Sequence, residues 1–216
     1  MIARLRWFAV LFLSVFALII ASNTLAVKPP PPDYYPMPVG AEWQYQGINE
    51  QSLKQLTVKV TASEKQADGT IWLKTEHDSG FSPFYIWYSK PQGLVVEHRQ
   101  LYTFGGNDTE YQPVPPKPIL KNPPPVGDSW EWSGKINGPV SVDAKEKYEV
   151  VAVEDTEVPA GKFSTMKIEV DGEKSGSSFK NTYWYANLVG PIKWTIEVEG
   201  QPLKGSELVT YQFPKN

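Results

Sequence analysis

The sequence contains no cysteine. That excludes disulfide staples, thiolate metal sites and a cysteine nucleophile. It also removes the residue on which a bacterial lipoprotein is acylated just after its apolar leader. Histidine is scarce, with only His77 and His98. They adjoin Asp78 and Glu97, but no spacing resembles a compact metal motif, so packing or surface roles are the better reading for both. There is no Gly-x-Ser-x-Gly elbow; Ser175-Gly176-Ser177-Ser178 and Gly205-Ser206-Glu207 read as turns. The glycines of Phe104-Gly105-Gly106-Asn107 follow a strand without opening a helix, and so cradle no phosphate. Asn107-Asp108-Thr109 fits a glycosylation sequon but reads as a polar surface turn. No catalytic residue, metal or cofactor is assigned, and the chain reads as non-enzymatic. Glu76, Glu97, Glu131 and Glu169 fall on expected strands, where only their separation in space decides for or against paired-carboxylate hydrolysis.

Long hydrophobic runs are also lacking, apart from one. Arg4 and Arg6 precede an apolar stretch from Trp7 to Ala21, followed by Thr24-Leu25-Ala26. A run of roughly 15 residues falls short of the roughly 20 of a spanning helix and suits a secretory signal peptide over 1–26, cleaved near Ala26. A retained anchor is the alternative. The expected location is secreted or periplasmic, with no stable membrane span once the signal is removed. The remainder carries 19 basic against 24 acidic residues, a net charge of −5, so nucleic acid is not an expected partner.

Proline, glycine and aromatic residues are abundant. VKPPPPDYYPMP at 27–38 forms a proline-rich lead expected to run extended over the surface, and a second cluster over 112–127 forms a connector. They divide the chain into a first β half, 39–111, and a second, 128–216, within one domain. Period-two alternation dominates: Leu56, Val58, Val60 and Ala62 face one way, as do Ile192, Trp194, Ile196 and Val198. Such patterns mark half-buried strands. Only Asn49 to Leu56 and Val142 to Lys147 admit short helices. The expected fold is mainly β: a curved antiparallel sheet or partly open β-barrel built from two related halves.

The halves share two anchors in the same order. PVGAEWQYQG (38–47) recurs as PVGDSWEWSG (125–134), and Trp87-Tyr88, with a turn ending at Gly93, recurs as Trp184-Tyr185, with a turn ending at Gly190. The first pair is offset by 87 residues and the second by 97, placing about ten extra residues near VEDTEVPAGKFS. Internal duplication accounts for this better than chance. Gly40 and Gly127 allow a turn, while Trp43 with Tyr45, and Trp130 with Trp132, sit two apart and share a strand face. Aromatic pairs of that size usually pack, so these six residues read as a structural motif that starts each half.

The opening Tyr34-x-Pro36-x-x-x-Gly40-x-x-Trp43-x-Tyr45, the Val158-Pro-Ala-Gly-x-Phe163 hairpin and Trp184-Tyr185-x-x-x-x-Gly190 together resemble a broad set of bacterial secreted proteins. That resemblance implies an open, strongly curved sheet similar to the half-barrel of periplasmic lipoprotein-localisation factors, whose concave side holds acyl chains. It carries over no catalytic residue. Phe84-Tyr85-Ile86-Trp87-Tyr88 and Tyr183-Trp184-Tyr185 put rings on both faces of their strands, so one face needs either a second layer or a ligand groove. Trp87, Tyr88, Trp184 and Tyr185 are therefore the candidate ligand-binding residues. The expected partner is an apolar or lipid-like ligand or an envelope protein. The alternatives are an interaction module without a cavity and a carbohydrate-binding protein.

Overall fold

The computed structural model describes residues 30–215. The expected signal peptide and the start of the lead lie outside the described residues. Thirteen strands account for most of the described residues: β1 (Glu42–Gly47), β2 (Gln55–Lys65), β3 (Ile71–Asp78), β4 (Phe84–Ser89), β5 (Leu94–Phe104), β6 (Asn107–Val114), β7 (Lys117–Lys121), β8 (Ser129–Asn137), β9 (Val142–Val158), β10 (Gly161–Lys174), β11 (Ser177–Ala186), β12 (Gly190–Val198) and β13 (Lys204–Gln212). Their order in the sheet is β4-β3-β2-β1-β13-β12-β11-β10-β9-β8-β6-β5, and pairing of β5 with β4 closes it. The curved sheet anticipated from the alternation thus curls into a closed antiparallel barrel of twelve strands. β7 stands outside that ring of pairings, bonded to the first residues of β5 where β6 no longer reaches.

Two expectations change. Asn49 to Leu56 is a turn that runs into β2, and Val142 to Lys147 opens β9; neither is helical. Both segments are short and lack an apolar stripe at helical spacing, so pairing with neighbouring strands prevails. The proline-rich connector is likewise more ordered than its composition suggests, since Gln112–Val114 complete β6 and Lys117–Lys121 form β7. Proline cannot donate to a ladder, which thins the pairing where these prolines fall. β6 meets β8 over only three residue pairs, Gln112–Asn137 to Val114–Lys135.

Side chains bridge the rest of that seam. Trp132 Nε1 donates to the Pro115 carbonyl and Trp130 Nε1 to that of Pro118, each at 2.9 Å. In the first motif copy Trp43 Nε1 donates to Val189 O at 2.7 Å and Tyr45 OH to Pro191 O at 2.8 Å. Trp43, Tyr45 and Trp132 are buried and Trp130 is partly so, and all four spend their single polar atoms on backbone carbonyls, three of them on prolines.

The six strands on each side of β7 correspond in detail. The motif copies open β1 and β8, and the Trp-Tyr pairs lie on β4 and β11. Gly40 N–H bonds to Val60 O and Gly127 N–H to Val150 O, with φ of 93° and 82°, a left-handed conformation that glycine adopts without strain. Residue 61 bulges from β2 as residue 151 does from β9, and residue 98 from β5 as residue 192 does from β12. The length difference lies in one hairpin: β9 and β10 have 17 and 14 residues where β2 and β3 have 11 and 8.

Trp132→Phe exchanges the indole for a smaller phenyl ring and leaves the Pro115 carbonyl without its donor. Urea denaturation should show a loss of about 1 kcal/mol, whereas Glu131→Gln, one residue along and facing outward, should leave the midpoint unchanged.

Candidate functional site

Twelve strands enclose more room than inward side chains can fill, because an eight-stranded barrel is the size that side chains just fill. The lumen holds two joined chambers, a deeper one of about 680 Å³ and one toward the mouth of about 890 Å³. Glu97, Gln100, Lys117, Glu146, Asn181 and Ile196 line both.

The proline-rich lead closes one end. It does not simply run over the surface, because Tyr35 and Met37 are buried. Polar clasps hold it: Lys90 Nζ meets Asp33 Oδ2 at 2.6 Å and donates to Tyr35 O at 2.8 Å. Asn122 Nδ2 donates to Asp33 Oδ1 at 2.6 Å, and Leu188 N–H donates to Asp33 O at 2.7 Å. Three loops from around the barrel thus grip one aspartate. Lys90 and Asn122 hold the Asp33 carboxyl below its ordinary pKa against the opposing effect of burial. The ring of Tyr35 then lies on the barrel floor, 6.2 Å from Trp43, 5.9 Å from Tyr88 and 6.2 Å from Tyr185 between centroids.

At the other end the lining residues Lys174, Ser175, Ser177 and Ser178 are exposed, so the lumen opens there to solvent. The most exposed large apolar side chains stand on loops or at a strand end on this side: Phe81 at 90%, Phe104 at 81% and Val140 at 73%.

Of the four candidate ligand residues, Tyr88 and Tyr185 line the deeper chamber and meet at Tyr35. Trp87 and Trp184, their chain neighbours, point to the opposite face, as strand alternation requires. Trp87 is only 2% exposed, with the Arg99 guanidinium 3.8 Å and Lys74 Nζ 5.1 Å from its ring and its Nε1 on Glu64 at 2.9 Å. Trp184 repeats the arrangement with Lys167 at 5.6 Å, Lys193 at 5.5 Å and Glu154 at 2.6 Å. Trp43 is fully buried on the floor, Tyr45 stacks edge-on against Trp194 at 4.7 Å, and Trp130 lies flat on Tyr148 at 4.9 Å.

A polar cluster at mid-lumen was not singled out from sequence. Lys117 Nζ lies 3.1 Å from Glu146 and 3.9 Å from Glu97. Gln100 Nε2 donates to Glu97 at 2.7 Å, and Tyr148 OH donates to Glu146. Burial alone would draw Lys117 toward neutrality, but the two carboxylates outweigh it and hold its pKa above the ordinary lysine value. Burial likewise pushes Tyr183 up to about 12, with Lys117 opposing. One cue was available: Glu146 stands two residues before Tyr148 and four before Val150, on the same inward face. Lys117 hides among Pro115, Pro116 and Pro118.

The two histidines have separate partners. His98 lies 2.7 Å from Ser89 Oγ and stacks on Trp72, whereas His77 faces the lumen, stacks on Phe84 and sits 2.9 Å from Thr75 Oγ1. Among the described residues no group of three metal-ligating side chains comes together. Burial lowers the His77 pKa to about 3.

The site and fold define a hollow, closed antiparallel barrel with an apolar floor and a charged middle. Solved structures similar to this chain include a proposed lipoprotein from Parabacteroides distasonis ATCC 8503, at 17% identity and TM-score 0.46 over 85% of this chain and 100% of that one. Another is a proposed exported protein with a YmcC-like fold from Bacteroides fragilis NCTC 9343, at 12% identity and TM-score 0.39 over 84% and 100%. No family model and no curated protein matches the sequence.

Between pH 6.5 and about 3 the unfolded chain takes up a proton at His77 that the folded chain refuses. Stability from this group is therefore full above pH 6.5 and falls with pH, by about 2 kcal/mol from pH 7 to pH 5. His77→Gln should narrow the difference between urea stabilities at those two pH values by about that amount.

Proposed function

We propose that this chain is an exported, non-enzymatic binding protein whose lumen takes up an apolar or amphipathic, lipid-like molecule through the open mouth. The observation that carries this reading is the unfilled lumen, which is sealed at one end by Tyr35 and open at the other. Cavities of this size, mostly apolar with a few convergent polar groups, are the usual form of small-molecule sites. Export rests on the Arg4 to Ala26 leader pattern. The motif resemblance to bacterial secreted proteins, and the duplication implied by matched bulges and matched tryptophans, are part of the same reading.

The wall favours a water-facing protein. A membrane-spanning barrel needs an outward apolar band, while outward positions here carry Lys59, Glu131, Lys145, Lys147 and Glu149. No helix among the described residues is long and apolar enough to cross a membrane. Lys117 stands between the lumen carboxylates Glu97 and Glu146, so these two do not face each other across an empty cleft as paired hydrolytic acids would, which supports a non-enzymatic role. A module with a fully packed interior would have no lumen. A carbohydrate platform would need open, coplanar rings, whereas Trp87 and Trp184 are covered by cations.

Ile86→Trp adds an indole to the deeper chamber without touching the mouth. It should weaken binding of an apolar fluorescent probe about tenfold or more, while Trp184→Phe, on the outer face, leaves it unchanged. Equal probe binding by wild type and Ile86→Trp would remove the lumen as the site.

A further inference from the structure

The charges inside the lumen do not balance. Glu146 is well served, by Lys117 at 3.1 Å and by the Tyr148 hydroxyl. Glu97 is not: one oxygen accepts from the neutral amide of Gln100, and the other has only Lys117 at 3.9 Å, beyond hydrogen-bond length. Yet Glu97 is 7% exposed. Two carboxylates share one ammonium, and His77, buried and neutral above about pH 3, adds no positive charge. A buried charge with incomplete partners is costly, and a cation that completes the set recovers that cost.

A second observation lies within the same walls. The Oδ1 atom of Asn181, which lines both chambers, is buried and has no hydrogen-bond partner. It is an acceptor lacking a donor. Around these acceptors stand aromatic rings: Tyr102 on the mouth side, with Phe84, Tyr88, Tyr183 and Tyr185 in the deeper chamber. Electron-rich ring faces also attract cations. The chain as a whole is acidic, which favours the approach of positive ligands.

We infer that the ligand is an amphipathic amine: an apolar body seated against Ile86, Tyr88 and Tyr185, and a protonated amino group held at mid-lumen by Glu97, Gln100 and the Asn181 carbonyl. This rests on the lumen being the binding site, and it narrows the lipid-like class to its cationic members. An anionic head group at the same depth would meet Glu97 and Glu146 and be repelled. Lys117 does not offset this, because it is already engaged by Glu146.

The test is calorimetric titration of the detergent-free exported protein with n-decylamine, n-decanol and n-decanoate, which share a tail and differ in head group. The inference expects decylamine to bind about tenfold tighter than decanol, with decanoate weakest. Glu97→Gln should abolish the preference for amine over alcohol. In the wild type the preference should persist in 0.5 M salt, since a buried pair is little screened, whereas binding to the acidic exterior would collapse. That arm stands even if Glu97→Gln does not fold. Decanol binding as well as or better than decylamine would overturn the inference and leave the apolar site intact. An amine preference that survives Glu97→Gln, or disappears in salt, would overturn Glu97 as the anchor. If none of the three binds, the lumen is not a binding site and both readings fall.

Discussion

The structure depends on the closure of twelve strands through the pairing of β4 with β5. A sheet of that width, once curled on itself, has a circumference that its inward side chains cannot fill. The hollow is thus a geometric consequence of strand number, and the rest of the molecule deals with that consequence. The lead reaches back to floor the lumen with Tyr35. The motif aromatics carry hydrogen bonds where prolines interrupt the ladder. The rings of Tyr88 and Tyr185 converge from opposite halves on the same floor.

Closure also separates two uses of aromatic residues that lie side by side in the chain. Trp87 and Trp184 stiffen the outside, each held between two cations and a carboxylate. Their neighbours Tyr88 and Tyr185 face inward. The Glu97–Lys117–Glu146 cluster is different in kind. A buried ion pair contributes little net stability over well-packed apolar residues of similar volume, and an acid-rich cluster with an unpartnered amide oxygen beside it contributes less. On the reading proposed above, its place midway along an accessible lumen serves recognition, with stability lost locally for specificity.

Much of the fold was legible because strand alternation is a local signal. Val58 and Ile192 announced β2 and β12, and the recurring PVG motif announced the openings of β1 and β8. Closure was not legible, because pairing of Trp87 with Arg99 or of Val114 with Lys135 depends on the twist accumulated over a whole sheet. The candidate site was half visible. Two adjacent strand residues cannot share a face, so Trp87-Tyr88 had to divide, although which ring faces inward follows only from the direction of curvature. Lys117 and Glu146 escaped notice for opposite reasons. One lies in a proline-rich stretch whose composition argues against a strand, and the other opens a strand in a segment where helix was an option. They meet only when the seam beside β8 is formed.

The account's central claim is that the lumen is a binding chamber and not a packing fault. The most direct measurement is native mass spectrometry of the protein purified without detergent. The account predicts a folded population carrying a small molecule of basic, apolar character that is released on unfolding. A single population at the bare mass, together with a water-filled lumen in a crystal structure of the same preparation, would contradict it.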